Sequence, residues 1–253
     1  MSKARLDRLL LARMLVPSRT IAQKLIEQQK VSIFENGQWR LAIRAAEKIS
    51  EYAEIKIADS DELRFVSRAG LKLDAAIQKH SIELAGKLAL DIGQSTGGFT
   101  DCLLQAGAAG VIGVDVGHDQ LHPRLKQNPK VRLIEGCNAR KLSENTYISS
   151  RKAEISFAVM DVSFISQTLI LPELSRVLFS GSELVSLVKP QFEVGKHNVG
   201  KGGIVRDRAL YKDVEILITN KLQETGFKVL DYFASPIDGG DGNREFLVYA
   251  EKE

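Results

Sequence analysis

The sequence predicts an α/β protein in which a mostly parallel sheet ends in an antiparallel strand and follows a small α+β domain. From Arg64 onward, short apolar runs alternate with stretches long enough for helices, as in a parallel sheet covered on both faces. The last two runs, F-K-V-L-D-Y-F and E-F-L-V-Y-A-E, are joined by a Gly-rich connection too short for a crossover helix, so they should be antiparallel. Before Arg64, helical periodicity gives way to turn-forming residues, which predicts the separate α+β domain.

The N-terminal domain, residues 1–60, is predicted to contain two helices and a strand pair. Arg5–Met14 reads R-L-D-R-L-L-L-A-R-M, with one apolar and one basic stripe at helical spacing. Pro17 should break this helix and Ser18 should cap a second one, R-T-I-A-Q-K-L-I-E-Q-Q-K. V-S-I-F, E-N-G-Q and W-R-L then read as a strand, a turn and a continuing strand. The acidic run A-D-S-D-E marks the junction with the second domain, residues 61–253.

The composition is that of an ordinary globular chain and excludes several classes. Of 253 residues, 44% are hydrophobic and 26% are charged, and no run approaches the ~20 apolar residues of a membrane span. The N-terminus M-S-K-A-R-L-D lacks the apolar core of a secretory signal. Cys102 and Cys137 lie in apolar or small-residue surroundings, so buried free thiols and a cytoplasmic location are expected. Two cysteines are too few for a Cys-based zinc site, and no metal is expected.

The charge is distributed unevenly along the chain. Residues 1–50 hold 10 Lys/Arg and 4 Asp/Glu, which gives +6, and the remainder holds 25 and 28, which gives −3. A basic N-terminal segment in an otherwise near-neutral chain suggests a polyanion partner. A helix whose basic face is only exposed to solvent would give the same charge distribution. The residues that would contact such a polyanion are Arg5, Arg8, Arg19, Lys24 and Lys30.

A glycine-rich loop follows the first apolar run of the second domain, in L-D-I-G-Q-S-T-G-G-F-T-D-C. The run 88–92 should be a buried strand that Gly93 ends, and a helix should begin near Phe99. Because ligands bind beyond the carboxyl ends of strands in open α/β sheets, this loop should face a ligand. The glycine spacing is not G-x-G-x-x-G, and no Lys-Ser/Thr pair follows, so neither a dinucleotide fingerprint nor a Walker loop is present.

The polar residues around this loop suit S-adenosylmethionine. Asp91, directly before the first glycine, could meet the ammonium group of the cofactor, directly or through water. Asp115 lies 22 residues after Gly93 (115 − 93) at the end of the second strand, placed for the two ribose hydroxyls. Asn138 could contact the adenine edge. Strand-end capping is the alternative for these residues. The residues that we predict to bind the cofactor are Asp91, Gly93, Ser95, Thr96, Gly97, Gly98, Phe99, Asp115, Asn138 and Asp161.

Four further charged residues lie where a catalytic group would be expected. Asp161 closes the fourth strand of the sheet and Lys189 closes the fifth. Lys72 lies on the helix before the sheet, and Glu245 opens the last strand. A lysine at a buried strand end is costly unless it is paired. Each residue alone could be a surface residue, whereas the four at one ligand site would form a catalytic unit.

The order Lys, Asp, Lys, Glu around this loop resembles the FtsJ-type ribose methyltransferases, and in particular the TlyA (haemolysin A) subgroup. The motifs that carry the resemblance are F-V-S-R-A-G-L-K-L, L-D-I-G-Q-S-T-G-G-F-T-D-C-L-L, M-D-V-S-F-I-S, V-K-P-Q-F-E and G-N-R-E-F. The N-terminal R-L-D-R-L-L-L and S-R-T-I-A-Q-K-L-I resemble the RNA-binding module of a small-subunit ribosomal protein and many pseudouridine synthases. One departure is E-N-G-Q-W-R-L, a longer stretch than the tight Asn-Gly turn usual in that module.

The resemblance implies a class I, Rossmann-like methyltransferase fold and 2′-O-methylation of ribosomal RNA, free or in ribosomal subunits, with S-adenosylmethionine. The sulfonium methyl is already activated, so the enzyme must align the reacting atoms and help remove a proton. Lys189 would be the base or the hydroxyl-orienting group, and Asp161 and Glu245 would hold the two lysines in place.

Other functions are less well supported by the sequence. A membrane-active haemolysin would need a membrane-spanning or suitably amphipathic segment, which the sequence does not offer. A noncatalytic RNA-binding protein would not need all four charged residues. A nicotinamide dehydrogenase is disfavoured by the glycine spacing. His118 and His122 have helical spacing, but Pro123 follows and no third metal ligand is evident, so both are expected on loops or the surface. Phe192, a single aromatic residue shortly after a proline, is weak evidence for base stacking.

Overall fold

A computed structural model describes residues 2–16, 18–60, 63–239 and 242–253. The chain forms two compact units, Met1–Ser67 and Arg68–Glu253. The domain boundary predicted after residue 60 lies within the first unit. Pro17, the predicted helix breaker, and the last two residues of the predicted acidic junction, Asp61 and Glu62, lie outside the described residues.

Two amphipathic helices build the core of the first unit, as the sequence predicts. They are α1 (Leu6–Ala12) and α2 (Arg19–Glu27). Ser18 caps α2, because its hydroxyl accepts a hydrogen bond of 3.2 Å from the backbone nitrogen of Ile21. The apolar stripes of both helices are buried, with Leu10 and Leu25 fully inaccessible, while Arg8 of α1 and Lys24 of α2 are exposed. Burial of these stripes is what stabilises helices this short.

Two small antiparallel sheets complete the first unit. Their strands are β1 (Lys3–Arg5), β2 (Val31–Glu35), β3 (Gln38–Leu41), β4 (Lys48–Ser50) and β5 (Ile55–Ile57). Strand β1 pairs with β4, and β2 lies between β3 and β5. Asn36 and Gly37, both with positive φ, form a two-residue turn between β2 and β3. The expectation of a longer connection was therefore wrong, because Trp39 belongs to β3 and packs against Phe34.

A seven-stranded sheet forms the centre of the second unit. The strands are β6 (Leu88–Ile92), β7 (Gly110–Val114), β8 (Val131–Ile134), β9 (Ile155–Met160), β10 (Glu183–Val188), β11 (Phe227–Ala234) and β12 (Phe246–Lys252). Their order is β11-β12-β10-β9-β6-β7-β8, and the five strands from β10 to β8 are parallel. The last strand, β12, is antiparallel to both β10 and β11. These pairings confirm the predicted mostly parallel sheet with an antiparallel last strand.

Helices connect the strands and cover the sheet. They are α3 (Ala69–His80), α4 (Gly98–Gln105), α5 (Pro123–Lys126), α6 (Thr146–Arg151), α7 (Leu171–Val177), α8 (Pro190–Glu193) and α9 (Leu210–Glu224). Residues of α6, α7 and α9 share one hydrophobic cluster with Ala158 and Met160 of β9. The alternating residues Phe157 and Val159 point to the opposite face and are also fully buried. The sheet is therefore covered on both faces, which explains its almost uninterrupted apolar strands.

The strand order places a crevice between β6 and β9. From β6 the chain proceeds through β7 to β8 at one edge, and then returns to place β9 on the other side of β6. Two neighbouring strands whose connections leave in opposite directions separate at their carboxyl ends. The glycine loop follows β6, and Asp161 follows β9, so both lie at this switch point.

Candidate active site

The glycines of the loop serve close backbone packing at the crevice. Gly93 has φ +81°, and a Cβ at this position would lie 2.3 Å from the carbonyl oxygen of Asp161. Gly97 has φ +91°, and a Cβ there would lie 2.4 Å from Leu125 and 2.7 Å from Leu121. Gly93 is therefore required for conformation and for space, and Gly97 for its positive φ. Close packing of this kind holds the loop against the end of β9.

Asp115 fixes the shape of the loop. Its carboxylate accepts hydrogen bonds of 2.7 Å from the backbone nitrogens of Ser95 and Gly117. It thus joins the loop after β6 to the loop after β7. Strand-end capping, the alternative considered for this residue, is what the structure shows, and it is compatible with cofactor binding because each carboxylate oxygen accepts more than one hydrogen bond.

A cavity of about 840 Å³ opens at the carboxyl ends of β6, β7, β8 and β9. This volume lies within the range of small-molecule sites. The predicted cofactor residues that line it are Gly93, Ser95, Asp115, Asn138 and Asp161. Outside its lining lie Asp91, Thr96, Gly97, Gly98 and Phe99.

Four of the predicted cofactor residues outside the cavity lining support the glycine loop instead; they are Thr96, Gly97, Gly98 and Phe99. Phe99 is buried in the core, and Gly98 is the first residue of α4. The Thr96 carbonyl accepts a hydrogen bond of 3.2 Å from the backbone nitrogen of His122. Asn138 is exposed at the cavity, and its side-chain oxygen accepts a hydrogen bond of 3.0 Å from the backbone nitrogen of Arg140.

Asp91 is fully buried and makes a polar network beneath the loop. The Thr100 hydroxyl donates to its Oδ2 at 2.6 Å, and Gln94 donates in turn to Thr100 at 2.7 Å. Its Oδ1 has no hydrogen-bond partner among the described residues. Burial raises the pKa of Asp91 to about 7; the Thr100 hydrogen bond opposes this rise, and the nearby charge of Asp161 adds to it. Since no side-chain surface is exposed, Asp91 can act on a ligand only through the loop or through water.

The four predicted catalytic residues form two ion pairs. Lys189 Nζ lies 2.6 Å from Asp161 Oδ1 and donates to the Ser163 hydroxyl at 2.9 Å. Lys72 Nζ on α3 pairs with Glu245 Oε2, and both side chains are more than 90% inaccessible. Each lysine therefore has the carboxylate partner that a buried ammonium group requires.

The strand register brings the two pairs to one place. In the antiparallel pairing of β10 with β12, Val188 lies opposite Phe246. The next residue of β10 is Lys189, and the preceding residue of β12 is Glu245, so the two are neighbours at the same end of the sheet. Asp161 follows the adjacent strand β9 at that end. Sheet pairing thus places Asp161, Lys189 and Glu245 at one end of the sheet, and Lys72 reaches Glu245 from α3; their joint catalytic role stays a prediction.

Phe164 is a site residue that the sequence reasoning missed. It lines the cavity, its side chain is 91% exposed, and its φ is +65°. A bulky residue in the left-handed region is unusual and points to a functional constraint. Its ring lies 5.2 Å from that of Phe192 on α8, which the sequence alone supports only weakly as a base-stacking residue. The aromatic residue within M-D-V-S-F-I-S, directly after a strand end, was the available signal.

A carboxylate holds the segment of Phe164 against the segment after Lys189. Glu193 accepts hydrogen bonds from the Ser166 hydroxyl at 2.5 Å and from the Gln167 backbone nitrogen at 2.9 Å. Burial raises the pKa of Glu193, and these two hydrogen bonds oppose the rise. The connections that follow β9 and β10 are therefore joined beside the two ion pairs.

The predicted RNA-contact residues of the first unit have mixed environments. Arg5 forms a two-pronged contact with the buried Asp7 at 3.0 and 2.9 Å, and Arg19 contacts the same carboxylate at 2.8 Å. The Arg5 hydrogen bonds hold the pKa of Asp7 well below its usual range, although burial opposes them. Lys30 donates to the Asp59 carbonyl at 3.0 Å. Arg19 thus joins α2 to α1, Arg5 joins the end of β1 to the same carboxylate, and both arginine side chains stay partly exposed.

The remaining sequence-based expectations concern thiols, histidines and membranes. Both cysteines are free, but only Cys102 is buried; Cys137 is half-buried at the cavity, because it follows β8 instead of lying within it. His122 caps the short helix α5. Within the described ranges, no group of three or more His, Cys, Asp or Glu residues could hold a metal ion. Among those same residues, no helix has the length and apolar character needed to cross a membrane.

The fold and site together define a Rossmann-like methyltransferase: a glycine loop at the switch point, a cavity beside it, and two lysine–carboxylate pairs at adjoining strand ends. Residues 65–252 match the FtsJ-like methyltransferase family, and the chain belongs to this family. A methyltransferase of this family takes its methyl group from S-adenosylmethionine.

Similar proteins extend over both units. "Putative rRNA methyltransferase YqxC" of Bacillus subtilis is 42% identical over 98% of this chain and 85% of its own length. The 16S/23S rRNA (cytidine-2′-O)-methyltransferase TlyA of Mycobacterium tuberculosis is 38% identical over 98% of this chain and 89% of its own. The solved structure "Putative hemolysin from Streptococcus thermophilus" has a TM-score of 0.72 and 40% identity, covering 100% of this chain and 89% of that one. The predicted family relationship is confirmed.

The residues of the cavity fit S-adenosylmethionine. The volume suits a ligand of this class, and Asp115 supplies carboxylate oxygens for ribose hydroxyls. Asp91 has an unpartnered buried oxygen beneath the loop, so its charge can favour a cationic ligand only through the loop or through water. The contacts of individual residues with the cofactor stay predictions.

The raised pKa of Asp91 predicts a pH dependence of stability. An unfolded aspartate titrates near 3.9, so between about pH 4 and pH 7 the folded protein binds the proton more tightly than the unfolded chain. The free energy of unfolding should therefore fall across this window, by up to about 4 kcal/mol, and level off above it. Asp91→Asn should remove this fall. Urea denaturation of both proteins at several pH values measures the difference, and parallel stability curves would contradict the prediction.

Proposed function

We propose that the protein transfers a methyl group from S-adenosylmethionine to a ribose 2′-hydroxyl of ribosomal RNA in the cytoplasm. The observation that carries this proposal is the pair of lysine–carboxylate contacts, Lys189–Asp161 and Lys72–Glu245, brought to one end of the sheet. The TlyA relative, whose name states ribosomal RNA 2′-O-methylation, supports the choice of substrate.

The side chains divide the work between binding and proton removal. When bound, S-adenosylmethionine supplies an activated methyl group, and the oxygen–carbon bond forms as the sulfur–carbon bond breaks. Lys189 contacts Asp161 and donates to Ser163, and as the base it takes the 2′-hydroxyl proton on its nitrogen lone pair while the hydroxyl oxygen attacks the methyl carbon. Asp161 and Glu245 hold the lysines in place. Alignment alone contributes up to roughly 7–11 kcal/mol in favourable cases.

The exposed Phe164 and the half-buried Phe192 beside it suit a nucleotide base. Aromatic side chains stack on unpaired bases with little sequence preference, at about 1–3 kcal/mol per base. Phe164 lines the cavity and leaves its ring face in solvent. In this proposal it supports the base of the target nucleotide, while the first unit contacts RNA through Arg5, Arg8, Arg19, Lys24 and Lys30.

A methyl-transfer assay tests the proposed function. Ribosomal subunits from a strain that lacks the gene should accept tritiated methyl groups from S-adenosylmethionine, and mapping should locate them on 2′-oxygens. Phe164→Ala should raise KM for RNA and leave the affinity for the cofactor unchanged. No incorporation into either subunit or free ribosomal RNA would favour a noncatalytic RNA-binding protein instead. Dye release from liposomes by RNA-free protein would favour the membrane-active alternative.

A further inference from the structure

A second cavity in the methyltransferase unit is lined by arginines. Its volume is about 470 Å³, and Arg206, Arg208 and Arg244 line it together with Tyr211 and Asp238. All three arginines are exposed, and within the described ranges none of them forms an ion pair with a carboxylate. Three arginines and one aspartate line this cavity, an excess of two positive charges (3 − 1), on a chain whose net charge is +3.

A buried asparagine holds the two sides of the cavity together. Asn243 accepts a hydrogen bond of 3.1 Å from the Val205 backbone nitrogen and donates one of 2.8 Å to the Gly203 carbonyl. These contacts join the connection after Lys189, which carries Arg206, to the segment that carries Arg244. The hydrogen bonds of Asn243 therefore hold the segments of Arg206 and Arg244 side by side.

The arginine cavity adjoins the candidate active site. Arg244 precedes Glu245, so their Cα atoms are about 3.8 Å apart. The same segment is anchored to the α3 region twice, by the Lys72–Glu245 ion pair and by a 2.8 Å hydrogen bond from Arg68 to the Asp238 carbonyl. The arginine cavity and the Lys72–Glu245 ion pair are therefore built on one segment of the chain, through the consecutive residues Arg244 and Glu245.

We propose that Arg206, Arg208 and Arg244 bind a backbone phosphate of the substrate RNA next to the methylated nucleotide. The planar fork of arginine matches phosphate oxygens in a two-pronged contact, and three such forks suit one or two phosphates. The N-terminus of α9 begins at Leu210 beside Arg208 and adds the positive end of a helix dipole. This inference rests on the proposed function, because it assumes that an RNA strand enters the candidate active site.

Replacing the arginines with glutamine tests the proposal by RNA binding and salt dependence. Each single variant should bind unmodified ribosomal RNA roughly tenfold more weakly at low salt, and the triple variant roughly a hundredfold. The slope of log affinity against log salt should become shallower by about one for each phosphate that the variant no longer neutralises. Cofactor affinity and thermal stability should stay at the wild-type values, because the three side chains are exposed and lie outside the cofactor cavity.

Arg132→Gln is the matched control, since Arg132 is an exposed arginine on β8 at the opposite edge of the sheet. If the triple variant and the control bind RNA equally well, the proposal is wrong. Inorganic pyrophosphate serves as a second probe: if it binds the wild type through these arginines while RNA affinity is unchanged in the triple variant, the cavity is a site for a free anion and not for RNA. RNA binding is measured without turnover, so a protein that transfers no methyl group would overturn the proposed function and still leave this test decisive.

Discussion

Replacing Lys189 with alanine is expected to lower the rate of methyl transfer by about 10²–10⁴-fold, the contribution of a positioned acid–base group. The expected cause is loss of the group that orients the ribose hydroxyl and helps remove its proton. Lys189 does not line the cofactor cavity, so the affinity for S-adenosylmethionine should change little. Single-turnover kinetics with tritiated cofactor measures the rate, and calorimetry measures cofactor binding.

Two further variants separate this role from loss of charge or packing. Lys189→Met keeps the length of the side chain without the ammonium group and should be as inactive as the alanine variant. Lys152→Ala removes an exposed lysine at the end of α6 and should retain normal turnover. A near-normal rate of methyl transfer in Lys189→Ala would refute the role of Lys189 as base or hydroxyl-orienting group. The Lys189–Asp161 pair would then contribute only to the stability of the fold.

Breaking the Lys72–Glu245 pair should destabilise the protein and abolish activity together. Both side chains are almost fully buried, so Lys72→Met leaves an unpaired carboxylate in the interior. Removal of one partner of a buried ion pair costs about 3–5 kcal/mol. Urea denaturation should detect this loss directly.

Replacing both partners distinguishes a structural pair from a catalytic one. The double variant Lys72→Met/Glu245→Leu should regain stability close to the wild type, because well-packed apolar residues can replace a buried ion pair without loss. Its methyl-transfer rate should stay low, since the charges of Lys72 on α3 and of Glu245 before β12 are missing beside the intact Lys189. A stable double variant with normal turnover would show that the pair serves folding only.

Secondary structure and sheet direction were predictable because their signals are local. Each of the seven strands of the second unit coincides with an apolar run, and Ser18 caps α2 as its residue type suggests. The short Gly-rich connection before β12 correctly predicted its antiparallel pairing with β11. The position of β12 between β10 and β11 was not predictable, since any edge or neighbour would satisfy the same pattern.

The roles of individual side chains were less predictable, because burial depends on residues distant in sequence. Asp91 was predicted to meet the ammonium group of the cofactor directly or through water, and its full burial beneath the loop with Thr100 leaves only the indirect contact as a prediction. Arg5 and Arg19 were predicted to contact RNA, and both pair with Asp7. Phe164 was not predicted as a site residue, because one aromatic residue in an apolar motif carries no specific signal, although it is nearly fully exposed at the cavity.

The sequence by itself determined which residues end the strands. A buried strand ends where an apolar run is followed by a glycine, a carboxylate or a lysine, and this pattern is local. Only the tertiary structure decided which of those ends meet. The register of β10 with β12 makes Lys189 and Glu245 neighbours, and Asn243 draws Arg206 and Arg244 into one cavity. Strand pairing and long-range hydrogen bonds join segments about 40 to 60 residues apart, and no local pattern encodes such contacts.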